Sequence, residues 1–193
     1  MKSFDLNGTA RTIAERSSEQ TKALKAMRRN SMIPCVLYGG EKNVNFSIKN
    51  ADVRKLVYSP DIHYVNLNID GEAHTAIIHE LQFHPVKDTI LHIDFLEIND
   101  QKPIVMEVPL KLEGLAVGVK AGGKMRQLMR TLRVKAIYTN IPESLTVDVT
   151  DMGLGKARKI ADLSYENLEL INPKTAVVCM VAATRQSKDA AAQ

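Results

Sequence analysis

The chain has 193 residues, a formal net charge of +4, 45% hydrophobic and 25% charged residues, and no tryptophan. That balance is the balance of an ordinary globular protein and excludes wholesale disorder, a collagen repeat and a disulfide scaffold. No run approaches the roughly 18 apolar residues that a membrane span needs, and the first residues lack the apolar stretch of a secretory signal.

Phe4 and Leu6 alternate with polar neighbours, which predicts an opening strand. From Ser17 to Asn30 there is no Gly or Pro and much Ala, Lys, Arg, Glu and Gln, so this stretch is predicted helical. Pro34 to Tyr38 reads as a short buried strand turning at Gly39-Gly40, and Val44, Phe46 and Ile48 alternate as another. Asn50 is a candidate N-cap for a short helix over Asp52–Tyr58, with Pro60 beyond it. Val65, Leu67 and Ile69 alternate up to the hairpin dipeptide Asp70-Gly71, and Thr75 to Ile78 returns. Leu91, Ile93 and Phe95 give the next strand. Together these pieces are expected to form one antiparallel unit.

Asn99-Asp-Gln-Lys-Pro103 is a polar break, and the domain boundary is placed there, giving domains 1–99 and 100–184. Beyond it Ile104, Met106, Val108, Leu110 and Leu112 alternate, with Pro109 on the opposite face suggesting an edge or a bulge. The segment from Gly114 to Gly123 holds four glycines and is expected to be a flexible loop. Strands follow through Leu132–Tyr138, Leu145–Val149 and Thr175–Ala183, with a short helical turn expected in Asp162–Asn167. Residues 185–193 have nothing apolar to pack and are expected to be disordered. The whole reads as mainly β.

Charge is uneven along the chain. Residues 1–49 carry nine basic and four acidic residues, and residues 50–99 carry three basic and eight acidic. Gly114 to Pro142 contains no acid, yet holds Lys120, Lys124, Arg126, Arg130, Arg133 and Lys135. Such clustering fits either a polyanion partner or a solvated surface, and charge alone does not choose between them.

Catalytic and metal chemistry find little footing. His74, His79, His84 and His92 lie close in sequence, but no His pair has helical i, i+4 spacing and no Cys-x-x-Cys occurs, so no metal or other cofactor is expected. Gly118-Val-Lys-Ala-Gly-Gly123-Lys124-Met125 is a near miss to a phosphate-cradling loop. It lacks the hydroxyl residue that holds Mg²⁺ and the strand-then-helix setting. Gly153-Leu-Gly155 reads as a turn. No nucleophile elbow is present, and Cys35 and Cys179 read as buried thiols in a reducing cytoplasm. No enzyme and no small-molecule substrate are expected. What remains is the basic stretch Arg11, Arg16, Lys22, Lys25, Arg28 and Arg29, followed by Tyr38. A helix bearing that stripe can follow phosphates, or it can simply be solvated.

The residues then become recognisable. Met27-Arg28-Arg29-Asn30-Ser31-Met32-Ile33-Pro34-Cys35-Val36-Leu37-Tyr38-Gly39-Gly40 resembles the Gly-x-Ile-Pro-Ala-Val-Ile-Tyr-Gly type segment of the bacterial ribosomal protein twenty-five family. Gln82-Phe83-His84-Pro85-Val86-Lys87-Asp88 and Leu91-His92-Ile93-Asp94-Phe95 resemble its His-Pro and His-x-Asp-Phe segments, with Phe83 where some members have a basic residue. Val108-Pro109-Leu110, Gly118 to Gly123, Ile141-Pro142-Glu143 and Val147-Asp148-Val149 are similar to the extra domain of the long form, also called the CTC or general stress protein form.

The resemblance implies a structural protein of the large ribosomal subunit that binds 5S ribosomal RNA in the central protuberance. It implies an N-terminal small β-barrel with two or three short helices and a second, mainly antiparallel β domain. The partners it implies are 5S RNA and neighbouring large-subunit ribosomal proteins, with no membrane, in a cytoplasmic protein that is monomeric off the ribosome. Matched to the motifs, the RNA surface comprises Arg11, Lys22, Lys25, Arg28, Tyr38, Gln82, His84, His92 and Asp94. Lys120, Lys124 and Arg126 are the candidate contacts of the second domain. An alternative of another class is a stress-related module whose second domain docks a protein partner.

Overall fold

A computed structural model describes residues 1–12, 18–40, 42–99 and 101–184. Arg16 and the expected disordered tail, 185–193, lie outside the described residues. The chain divides into two compact units, Met1–Lys102 and Pro103–Gln193.

In the first unit six strands close into a barrel: β1 (Lys2–Ala10), β2 (Met32–Tyr38), β3 (Val44–Lys49), β4 (His63–Ile69), β5 (Glu72–Phe83) and β6 (Ile90–Glu97). Their order is β1-β3-β2-β6-β5-β4. Closure leaves no bare sheet edge. Most of the alternating apolar residues turn inward, whereas Leu91 is half-buried and Ile90 takes the core place on β6. Leu6, Cys35, Leu37, Phe46, Ile48, Val65, Leu67, Ile93 and Phe95 are buried in one cluster, with the Phe46 and Phe95 rings 5.7 Å apart at its centre. The first helix, α1 (Ser18–Arg29), packs on β2; the second, α2 (Asn50–Val57), sends Val53 and Leu56 into the barrel core.

Two expectations for this unit need correction. It is not wholly antiparallel: β1 runs parallel to β4, and β2 runs parallel to β6. Strands distant in sequence close the barrel, and period-2 patterning is blind to strand direction. Nor does Asn50 cap α2; the cap position is Lys49, without a side-chain hydrogen bond, and Asn50 instead donates its main-chain N–H to Ser31. The Asp70-Gly71 turn, by contrast, has φ of 49° and 99°, the double positive φ of the predicted hairpin type.

The second unit holds two sheets. In the four-stranded one the order is β10 (Leu145–Asp148), β7 (Ile104–Glu113), β9 (Thr131–Ala136), β12 (Glu169–Leu170); the three-stranded one runs β11 (Ala157–Lys159), β13 (Val177–Ala182), β8 (Lys124–Gln127). Pro109, expected to mark an edge or a bulge, lies on β7, which has a neighbour on each side in the sheet order. It ends the pairing with β9, and pairing with β10 begins at Leu110, so its missing N–H falls at the handover.

The glycine-rich segment is not a featureless loop. It forms a single helical turn, α3 (Val117–Lys120). Gly118 donates to Met152 O at 2.8 Å, and a Cβ there would stand 2.6 Å from the backbone of Gly153 and Leu154. Glycine is required for close approach of two backbones rather than for flexibility. The expected turn at Asp162–Asn167 falls earlier, as a 3₁₀ turn over Ile160–Asp162, where Asp162 accepts the Lys159 N–H.

Candidate nucleic-acid interface

The outer face of the barrel gathers the polar residues that the motifs contain. Residues in register on neighbouring strands share a face. Gln82 stands opposite His92, and Glu80 opposite Asp94. Asp94 is level with Val36, which is level with Asn45. Arg11 continues this row, its N–H donating to Asn45 O at 2.8 Å. Tyr38 lies one step along β2, level with Leu96. Four strands, with Arg11 just beyond the end of β1, thus carry one continuous outward surface.

At its centre His92 Nδ1 lies 2.6 Å from Asp94 Oδ1, and both side chains keep 24% exposure. The carboxylate is the acceptor of this contact and Nδ1–H the donor, which leaves Nε2 outside the pair. Asp94 therefore orients His92 in addition to any contact of its own, and among the described residues its second oxygen has no hydrogen-bond partner. Burial, reinforced by the Asp94 and Glu80 charges, raises the Tyr38 pKa and keeps its hydroxyl a neutral donor. The Tyr38 ring meets His79 edge-on at 5.9 Å.

The cations stand around this centre. Arg28 Nε and Nη2 donate to Leu91 O at 3.3 and 3.2 Å, which pins α1 beside His92. Leu24 and Met27 form the half-buried stripe of the helix, while Lys22, Lys25 and Arg29 are exposed. These three fall within an arc of about 60° on the helix surface. Arg11 is half-buried. Among the described residues its Nε is shielded from solvent and has no hydrogen-bond partner.

His84 plays a different part from the one the motif suggests. Its Nδ1 accepts the N–H groups of Val86 and Lys87, each at 3.2 Å, so the ring fastens the β5–β6 turn through that nitrogen. The structure brings Arg28, Tyr38, Gln82, His92 and Asp94 together and extends their row to Arg11; Lys22 and Lys25 lie on the adjoining helix. Asn45, His79 and Glu80 also belong to the face, although no motif pointed to them. The signal for Glu80 is a bulge: register shifts between Ile78 and Glu80, which sets Glu80 outward opposite Asp94.

Chemically the face is acidic and hydrogen-bonding at its centre and cationic at its rim. Carboxylates there repel phosphate and accept amine donors, whereas guanidinium and ammonium groups meet phosphate. Among the described residues no cluster of His, Cys, Asp or Glu could hold a metal ion, and no helix is long and apolar enough to cross a membrane.

Comparison with known proteins adds an independent finding. The model of the ribosomal L25p family matches residues 7–95, and that of the ribosomal protein TL5 C-terminal domain matches residues 103–185. The large ribosomal subunit protein bL25 of Bacteroides fragilis is 60% identical over the whole chain and 98% of its own length. The corresponding proteins of Bacteroides thetaiotaomicron and Porphyromonas gingivalis are 58% and 51% identical, covering 100% and 99% of this chain and 98% of each relative.

Proposed function

The chain belongs to the ribosomal L25p family of large-subunit proteins, structural components rather than enzymes, and from that premise we propose that its first unit binds 5S ribosomal RNA in the central protuberance. The observation that carries the reading is the outer barrel face, with the His92–Asp94 pair at its centre and the Arg28-anchored helix at its rim.

A double-stranded RNA offers its base edges and 2′-hydroxyls in a wide, shallow minor groove, bordered by phosphates on both sides. The face has the matching layout. His92 Nε2, Gln82, Tyr38 and the free Asp94 oxygen supply acceptors and donors at the middle. Lys22, Lys25, Arg28, Arg29 and Arg11 supply positive charge around them. A protein built this way works in the cytoplasm as part of the particle, beside other large-subunit proteins.

The test is direct binding of the full chain to 5S RNA and to an unrelated RNA of equal length, across a range of salt. A preference for 5S RNA that survives at moderate salt supports the assignment. Equal affinity for both RNAs at every salt concentration would remove it.

A further inference from the structure

The second unit sorts its charges by sheet. Three stretches of its sequence contain no acid: 114–142, 152–161 and 171–188. Strands β8, β11 and β13 each come from one of them, and the topology assembles these three into a single sheet. That sheet has no carboxylate in any strand. The four-stranded sheet carries Glu107, Glu113, Asp148 and Glu169, and two of its three cations are paired across strands, Arg133 with Glu107 at 2.9 Å and Lys135 with Glu169 at 3.4 Å, the third being Lys111.

Register places Arg126 opposite Met180, which is opposite Ala157, and Lys124 opposite Ala182, so all five share a face. Lys124 and Arg126 are exposed, and neither has an ion-pair partner among the described residues. Lys120, exposed at the end of α3, lies just ahead of β8. Two residues apart on a strand, Lys124 and Arg126 stand about 7 Å from each other. That is the scale of the step between consecutive phosphates on one nucleic-acid strand. Ala157 and Ala182 keep the neighbouring surface low, so that a sugar-phosphate backbone can approach.

We propose that this acid-free sheet is a second RNA-binding surface, one that holds the phosphate backbone without reading sequence. A protein partner fits less well, because a protein interface is anchored by aromatic and large apolar groups at its core. This face offers two alanines and one methionine. The proposal does not depend on 5S RNA being the partner of the first unit.

The full chain is titrated with an A-form RNA duplex of unrelated sequence at several salt concentrations. Removing one cation that meets a phosphate lowers the salt slope by roughly 0.7–0.9. The double variant Lys124→Gln/Arg126→Gln is therefore expected to lower it by roughly 1.4–1.8. The double variant Arg133→Gln/Lys135→Gln, which removes the same charge from the acid-paired sheet, is expected to lower it far less. Lys124→Arg is expected to keep the full slope, and melting curves verify that each variant is folded. An equal drop in slope for the two double variants, or no drop for the first, would overturn the proposal. So would displacement of the duplex by polyglutamate of equal charge as readily as by unlabelled RNA. The probe carries no 5S sequence, so a failure of the 5S assignment and a failure of this one are read on separate curves.

Discussion

The outer barrel face of the first unit and the three-stranded sheet of the second are both built from alternating strands, yet they handle charge in opposite ways. On the barrel, the central carboxylate of Asp94 is tied to His92, Glu80 stands opposite it, and cations border them. On the second sheet, cations stand among alanines with no acid in any strand. On the two proposals, the first arrangement discriminates, since a carboxylate gains only from a donor placed to meet it, and the second merely attracts. The proposed separation of specificity from affinity can be attacked experimentally.

The largest expected effect comes from opening one unit alone. Phe95 is fully buried against Phe46, and Phe95→Ala is expected to destabilise the barrel by about 3–5 kcal/mol. Calorimetry of the variant should show an early transition for the first unit beside an unshifted one for the second, with 5S binding lost as the first unit melts. Thiol labelling gives a second reading, because each unit holds one buried cysteine. Burial pushes the Cys35 thiol up to about 12 and raises Cys179 as well, so neither is a reactive thiolate in the folded protein at pH 8. In the variant Cys35 should label much faster while Cys179 does not. Labelling of both at one rate would merge the two units into a single cooperative block. The alkaline limb follows the same logic. Because the folded thiol pKa lies above the unfolded one, its contribution is intact below about pH 9 and is lost as pH rises toward 12.

A somewhat smaller effect should appear when the second unit is strained instead. Gly118→Ala drives a methyl group against the Gly153–Leu154 backbone and is expected to cost about 1–3 kcal/mol. The second transition should fall in temperature, while affinity of the first unit for 5S RNA at fixed temperature stays within error. Loss of that affinity would mean that the two units do not divide the work.

The same two units differ in how plainly their sequences announce them. The barrel core is legible residue by residue, since Leu6, Phe46, Val65, Leu67 and Phe95 follow a two-residue period that only a half-buried strand explains. The helix carrying Arg28 is equally plain. The parallel closures β1–β4 and β2–β6 are not, because pairing between distant strands leaves no local trace. Strands of two to four residues such as β8, β11 and β12 are too short for a period to register. The site follows the same rule. His92 and Asp94, two apart on one strand, can be placed together from spacing. Glu80 and Asn45 join them only through register and a bulge. The role of His84 as a turn fastener depends on where the next two N–H groups point, which composition does not encode.

The third prediction tests the discriminating half of the comparison. Asp94→Asn keeps the shape of the side chain but removes the charge that faces His92 Nδ1. It is expected to cost on the order of 1–3 kcal/mol on 5S RNA alone, as for a groove-edge contact, with the salt slope unchanged. His92→Ala should behave alike, and the double variant should lose little more than either single one, because the two residues act as a unit. Full additivity in that cycle would show two separate contacts rather than one oriented pair. A variant that melts early yet discriminates RNA as well as wild type would make Asp94 a structural residue only.

The smallest effect should come from the rim, at Arg28. Its guanidinium is divided between two tasks: Nε and Nη2 hold the Leu91 carbonyl, and the rest of the group is exposed on α1. Arg28→Ala takes one cation from the phosphate rim and is expected to lower the salt slope by roughly 0.7–0.9 on any RNA, 5S or not. It also releases α1 from β6, so a modest loss of preference for 5S RNA should accompany the lower slope. Arg28→Lys separates the two tasks. A lysine restores charge at the rim but lacks the planar two-nitrogen fork that grips a single carbonyl. Its slope should return to that of wild type while the loss of preference persists. If lysine restored both, the Leu91 anchor would have no part in recognition, and the cationic rim of the barrel would attract RNA in the same undiscriminating way as the acid-free sheet of the second unit.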